Sequence, residues 1–125
     1  MPYDEDTADR VRQVLEGRRD VVEKKLMGGL CFMVKGVMCC SISGKGGILV
    51  RVDEPSYEKA LDEPYVEAVA MGKRVMRGFV RVLPSGYRTY AALSRWVGRG
   101  VERALAISKN PVSTTRKTVS KPRKP

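Results

Sequence analysis

The first half of the chain alternates short apolar runs with glycine-containing breaks. Four of these runs predict β-strands, at residues 21–26, 30–34, 37–42 and 48–52. The two-residue break at Lys35-Gly36 is typical of a β-hairpin turn, and Gly28-Gly29 is typical of the turn before it. We therefore expect consecutive antiparallel strands in this half.

A short helix and two more strands are predicted in the second half. Asp53-Glu54-Pro55 is typical of a helix start, because proline suits the first turn of a helix. Two further extended segments are predicted at residues 66–71 and 77–83. Gly78, inside the second of them, is a candidate β-bulge.

Two amphipathic helices complete the pattern. Asp6 or Thr7 is the candidate cap of the first helix. Apolar residues recur with helical spacing over residues 87–108 and predict the longest helix, in which Gly98 and Gly100 require a bend or close packing. The predicted fold is α+β with two layers, a mostly antiparallel sheet of about five to six strands with helices packed on one face.

Charge separates a body from a tail. At 125 residues the chain has the length of one domain, and its formal net charge is +10. Residues 109–125 hold 6 basic and no acidic side chains, which leaves 18 basic and 14 acidic side chains in residues 1–108. The tail also lacks apolar periodicity. We predict a domain at residues 1–108 and a basic disordered tail at residues 109–125.

The composition argues against several kinds of chemistry. The chain has 0 histidines, so neither a Ser/His/Asp nor a Cys/His nucleophile can form. With 3 cysteines, a four-thiolate metal site cannot form either. We predict no catalytic residue, no cofactor, no metal and no enzymatic activity. The acidic N-terminus and the lack of a long apolar run predict a cytoplasmic protein without membrane contact.

The cysteines carry the only reactive side chains that suggest a switch. A regular hairpin around Lys35-Gly36 places Cys31 opposite Cys40, with Cα atoms ~4.5 Å apart. This separation is near the short limit for a disulfide, so a redox-responsive pair is one interpretation. Two buried thiols that only pack in the core are the other.

Arginines on the predicted long helix form a second candidate site. Arg95, Arg99 and Arg103 recur every four residues, and Arg88 lies seven residues before the first of them. Such a ridge can bind phosphates or an acidic partner through guanidinium forks, or it can be a solvated helix face. Trp96 beside it is either half exposed at a contact surface or packed over the helix edge.

The basic tail is the strongest indication of nucleic-acid contact. A flexible cationic segment binds phosphates by counterion release, without reading the sequence. A solubilising terminus without a partner is the alternative. The predicted contact residues in the tail are Arg116, Lys117, Lys121, Arg123 and Lys124.

Residues 24–33, Lys-Lys-Leu-Met-Gly-Gly-Leu-Cys-Phe-Met, resemble the opening motif of the TfoX N-terminal domain, a family named after a regulator of bacterial natural competence. The likeness continues at residues 49–52, 57–61 and 75–80, and covers roughly residues 10 to 108. Met27 stands where we expect phenylalanine in the family.

The resemblance implies a two-layer α/β fold and provides no catalytic residues. Full-length regulators of this type carry a second domain and act with the cyclic-AMP receptor protein, whereas this chain looks like a stand-alone N-terminal domain. We therefore expect a non-enzymatic regulatory or adaptor module. Its expected partner is a protein, such as a transcription factor or a polymerase component, with non-specific DNA contact through the tail. A homodimer is also compatible with the sequence, and a redox-responsive protein using Cys31 and Cys40 is the alternative.

Overall fold

The structure is a computed structural model, and it describes residues 3–26 and 28–109. The six strands are β1 (Val21–Leu26), β2 (Gly29–Val34), β3 (Val37–Ile42), β4 (Ile48–Arg51), β5 (Val66–Met71) and β6 (Arg74–Val82). The three α-helices are α1 (Glu5–Val14), α2 (Glu54–Leu61) and α3 (Tyr90–Lys109), and a short 3₁₀ helix spans Pro84–Tyr87.

The strands form one open antiparallel sheet. Their order is β1-β2-β3-β4-β6-β5, so that β1 and β5 are the two edge strands. The turn between β2 and β3 has positive φ at both Lys35 (51°) and Gly36 (81°), as a two-residue hairpin turn of type I′ requires. The predicted hairpin and the α+β fold class are confirmed.

The helices cover one face of this sheet. Alternate residues of the central strands, among them Phe32, Val50 and Val80, are fully buried and belong to a single core cluster. Helix α3 contacts β2, β3 and β4, and it brings Leu93, Trp96, Val97 and Ala104 into the same cluster. Tyr57 and Ala60 of α2 and Ala8 and Val11 of α1 also belong to this cluster. The predicted two-layer arrangement is therefore confirmed.

The first two helices are capped by aspartates. Asp53 precedes α2 and accepts a hydrogen bond from the backbone N–H of Ser56, as the helix-start motif predicts. For α1 the predicted cap is wrong, because the structure uses Asp4 instead of Asp6 or Thr7. Both the backbone N–H and the hydroxyl of Thr7 donate to the Asp4 carboxylate, so the helix begins earlier.

Two adjacent glycines shape the turn from β1 into β2. Gly28 has a φ of +79°, a conformation that favours glycine. Gly29 lies against the backbone of β3, where an added Cβ would overlap the carbonyl oxygen of Ile42. These two constraints give a physical reason for the Gly-Gly pair in the resemblance motif.

The last two strands depart from a regular ladder. Strand β6 begins at Arg74, earlier than residue 77, so the turn that joins it to β5 is shorter than the pattern predicts. The register then shifts, because Ala68 pairs with Val80 whereas Ala70 pairs with Val75. Gly78 lies within this shifted segment, which confirms the predicted irregularity.

Candidate functional site

The second face of the sheet is not covered by any helix within residues 3–26 and 28–109. Val22 and Leu26 point to this face on β1 and are 56% and 49% exposed. Cys31 and Ser41 pair across β2 and β3 on the same face and are nearly buried by their neighbours. The partly exposed side chains Met33, Met38, Leu49, Phe79 and Arg81 extend it across the sheet. We call this surface the bare face.

Arg95 and Arg99 of α3 form ion pairs with one carboxylate. Their Nη1 atoms lie 3.1 and 2.7 Å from the carboxylate oxygens of Glu63, just after α2. Burial opposes ionisation of Glu63, but the hydrogen bonds from Arg99 and Arg95 outweigh it and lower the pKa of this carboxyl. These two arginines therefore connect α3 to the end of α2.

Trp96 lies beneath the same two arginines. Their guanidinium carbons are 4.9 Å (Arg95) and 4.3 Å (Arg99) from the centroid of the indole ring, within cation–π range. The indole itself is 1% exposed. The interpretation of Trp96 as a half-exposed contact residue is wrong, because α3 turns this side chain into the core.

The predicted arginine ridge does not form one continuous surface. Arg88 precedes α3, is exposed, and lies 3.5 Å from the hydroxyl of Ser85. Arg103 lies at the other end, half buried beside Arg51 of β4. Arg88 is therefore separate from the other three arginines, because the helix starts later than predicted. Arg95 and Arg99 share Glu63, and Arg99 and Arg103 line one cavity. The role of the ridge in binding stays a prediction. The tail residues from Arg116 to Lys124 lie outside the described residues.

The predicted opposition of Cys31 and Cys40 is wrong. A bulge at Cys39 shifts the β2–β3 register, so Cys31 pairs with Ser41 while Cys40 pairs with Phe32. Because adjacent positions on a strand face opposite ways, the two thiols lie on opposite faces of the sheet. The redox alternative thereby loses the geometry on which it depends.

The two neighbouring thiols, Cys39 and Cys40, are fully buried and their sulfur atoms are 3.8 Å apart. Their mutual hydrogen bond and burial raise the pKa of Cys40 well above its ordinary value. The same hydrogen bond lowers the pKa of Cys39, but that thiol has no exposed surface. All three cysteines are free.

We expect all three thiols to be slow toward a soluble disulfide reagent in the native chain. Reaction requires local opening, so the rates should be at least roughly 100-fold lower than in denaturant. A time course with Ellman's reagent, with and without guanidinium chloride, measures this. One thiol that reacts within seconds in native buffer would contradict the packing interpretation and restore a redox role.

Two parts of the candidate surfaces were not evident in the sequence. Val22 and Leu26 are four residues apart, a spacing that does not by itself identify a strand face. Arg51 offered a signal, since it is the only charged residue in an otherwise apolar run at residues 48–52.

Within the described residues no cluster of histidine, cysteine or carboxylate side chains is able to hold a metal ion. Nor is any helix there long and apolar enough to cross a membrane.

The fold and these surfaces define a small α+β domain whose sheet is covered by helices on one face and bare on the other. The chain belongs to the TfoX N-terminal domain family, because the family model matches residues 13–104. Comparison with curated proteins and with solved structures gave no significant match.

Proposed function

We propose that the chain is a non-enzymatic regulatory or adaptor module that binds a protein partner, a transcription factor or polymerase component, in the cytoplasm. The observation that carries this proposal is the bare face. Val22 and Leu26 expose about half of their surface on an edge strand, next to the partly exposed Met33. Exposed apolar side chains grouped on one face, here Val22 beside Met33 with Leu26 on the same strand, are characteristic of interaction sites. Membership of the TfoX N-terminal domain family supports the same class of function.

The charges around the bare face define the partner's chemistry. Lys24 lies on this face between Val22 and Leu26, and Arg81 lies on it across the sheet. Glu67, the register partner of Arg81, is the only carboxylate at a strand position of this face in the described part of the chain. A partner segment that presents apolar side chains flanked by carboxylates would complement this surface. The open edge of β1 also offers unpaired backbone groups to an added strand.

The test compares two exposed valines. Val22→Lys places a charge on the bare face, on the edge strand β1. Val75→Lys changes a valine of similar exposure (53%) at the start of β6, next to the opposite edge of the sheet. We expect Val22→Lys to weaken partner binding at least roughly tenfold, since a buried unpaired charge is costly, and Val75→Lys to leave it unchanged. Quantitative crosslinking capture identifies the retained proteins, and titration with the purified partner measures the affinity.

Both variants should keep the native circular dichroism spectrum, because both side chains are exposed. Equal capture by the two variants would contradict a binding role for the bare face. Sedimentation equilibrium of the same proteins tests whether the bare face binds a second copy of the chain instead of another protein. Self-association that Val22→Lys abolishes would make the bare face a homodimer interface.

Contact with nucleic acid is the second part of the proposal. It rests on the charge of residues 109–125, which hold 6 of the 24 basic residues and no acidic residue. Such a segment would hold the module near DNA without selecting a sequence, so that the protein partner supplies specificity.

A further inference from the structure

A cavity of about 200 Å³ lies between the start of α2 and the last turns of α3. The charged and polar side chains that line it are Arg51, Asp53, Ser56, Arg99, Glu102 and Arg103. We call it the arginine cavity. It is smaller than the ~300–1,000 Å³ that drug-sized ligands occupy, so its size suits a single small group.

Arg103 presents an unsatisfied donor in this cavity. Its Nε atom is buried and has no hydrogen-bond partner within the described part of the chain. Buried polar groups are nearly always hydrogen-bonded, and an unpaired one costs free energy. A cationic donor left in this state points to an acceptor that the described residues do not supply.

Arg51 is a second cation in this cavity, and it forms no ion pair with another described residue. Its Nε donates to the carbonyl oxygen of Met38 at 2.6 Å, and its guanidinium carbon lies 4.6 Å from the centre of the Phe79 ring. Among residues 3–26 and 28–109, neither Arg51 nor Arg103 forms an ion pair with a carboxylate. The remaining residues contain no aspartate or glutamate.

The two arginines also repel each other. Burial, and next the charge of Arg103, lower the pKa of Arg51 below its ordinary value. An anion between the two guanidinium groups would remove this repulsion.

The other charges in the lining already have partners or face solvent. Arg99 is bound to Glu63, and the Asp53 carboxylate accepts hydrogen bonds from Ser56 at the start of α2. Glu102 is exposed. Once Arg99 is paired with Glu63, the lining holds two arginines, Arg51 and Arg103, and two carboxylates, Asp53 and Glu102. Neither carboxylate forms an ion pair with Arg51 or Arg103. The hydrogen bonds from Ser56, and to a smaller extent the charge of Arg103, lower the pKa of Asp53.

We infer that the arginine cavity binds one phosphate group, either as inorganic phosphate or as the terminal group of a small phosphate monoester. Guanidinium forks pair bidentately with phosphate oxygens, and two forks with an unused Nε–H suit a tetrahedral oxyanion. Helix α2 begins at the same cavity, so the partial positive charge of its first turn acts in the same direction.

The direct test follows the arginine Nε–Hε signals of the full chain by ¹⁵N NMR. Sodium phosphate replaces sodium chloride at constant ionic strength, and glycerol phosphate in a second series distinguishes a monoester from the free ion. We expect the signals of Arg103 and Arg51 to shift and saturate together with one dissociation constant, while that of Arg95 stays in place. The absence of a saturable shift at either Arg51 or Arg103 in both series would overturn the inference.

A matched pair of variants on α3 distinguishes a specific phosphate site from a general effect of positive charge. Arg103→Gln and Arg95→Gln remove the same charge from the same helix, but only Arg103 lines the cavity. We expect Arg103→Gln to weaken phosphate binding roughly 10- to 100-fold, and Arg95→Gln to change it less than about twofold. Equal losses in both variants would overturn the site. If Arg103→Gln fails to fold, the titration of the unmodified chain still decides.

Discussion

Replacing Gly100 with alanine is expected to destabilise the domain by about 2–3 kcal/mol. The backbone of α3 comes so close to β3 at this point that an added Cβ would overlap the carbonyl oxygen of Cys39. It would also lie 3.1 Å from the carbonyl carbon of the same residue. Because the neighbouring atoms belong to the backbone of a strand, α3 and β3 cannot move apart without losing stability. Urea unfolding followed by the fluorescence of Trp96, the single tryptophan, measures the change.

Gly98 provides the matched control for Gly100. It lies two residues away on α3, but an added Cβ there would meet no heavy atom within 4 Å. Alanine at this position should therefore stabilise the domain by up to ~1 kcal/mol, through helix propensity alone. Opposite signs for the two substitutions would establish close packing at Gly100. Equal effects would contradict the contact between α3 and β3.

Removing the charge of the tail is expected to abolish most DNA binding at low salt. If about five cations of the tail contact phosphates, the affinity of the unmodified chain should fall roughly 10²–10³-fold between 50 and 200 mM salt. Substitution of the tail cations by glutamine keeps the length of the chain and should remove most of this salt dependence. The substituted residues are Arg116, Lys117, Lys121, Arg123 and Lys124. Fluorescence anisotropy with a labelled duplex over a salt series measures both quantities.

A variant with substitutions in residues 1–108 tests whether any loss of positive charge weakens DNA binding. Arg88→Gln combined with Arg95→Gln removes two exposed cations of the predicted ridge and should have little effect on DNA affinity. If this variant loses binding while the tail variant keeps it, the contact lies on the folded domain. If even the unmodified chain does not bind at low salt, the nucleic-acid part of the proposal is wrong and the protein-binding part stands alone.

The elements of this fold are largely predictable because their signals are local. The turn at Lys35-Gly36, the cap at Asp53 and the boundaries of β3 and β5 each depend on a few neighbouring residues. The bulge at Cys39 has no such signal, since the residue is one more apolar position in an apolar run. Helix α3 packs against this point through Gly100, about 60 residues later in the chain, so the surroundings of the bulge come from a distant segment.

The candidate sites depend on contacts that the chain makes over long distances. The spacing of Arg95, Arg99 and Arg103 correctly places them on one helix, but not beside Glu63 or Arg51. Those neighbours come from α2 and β4, and only the packed structure brings them to α3. The sequence therefore predicts which cations exist, whereas the tertiary contacts determine which of them remain free to bind an anion.

The bulge at Cys39 gives β3 one residue more than the strand it pairs with. Deleting Cys39 would remove that extra residue and leave Cys40 opposite Phe32, so that Cys40 and Ile42 would still face the core and Ser41 the bare face. An inserted residue has no such outlet, because side chains alternate with a period of two and the residues after the insertion would change faces. Among homologues, a single-residue deletion at Cys39 should consequently be tolerated better than an insertion elsewhere in β3.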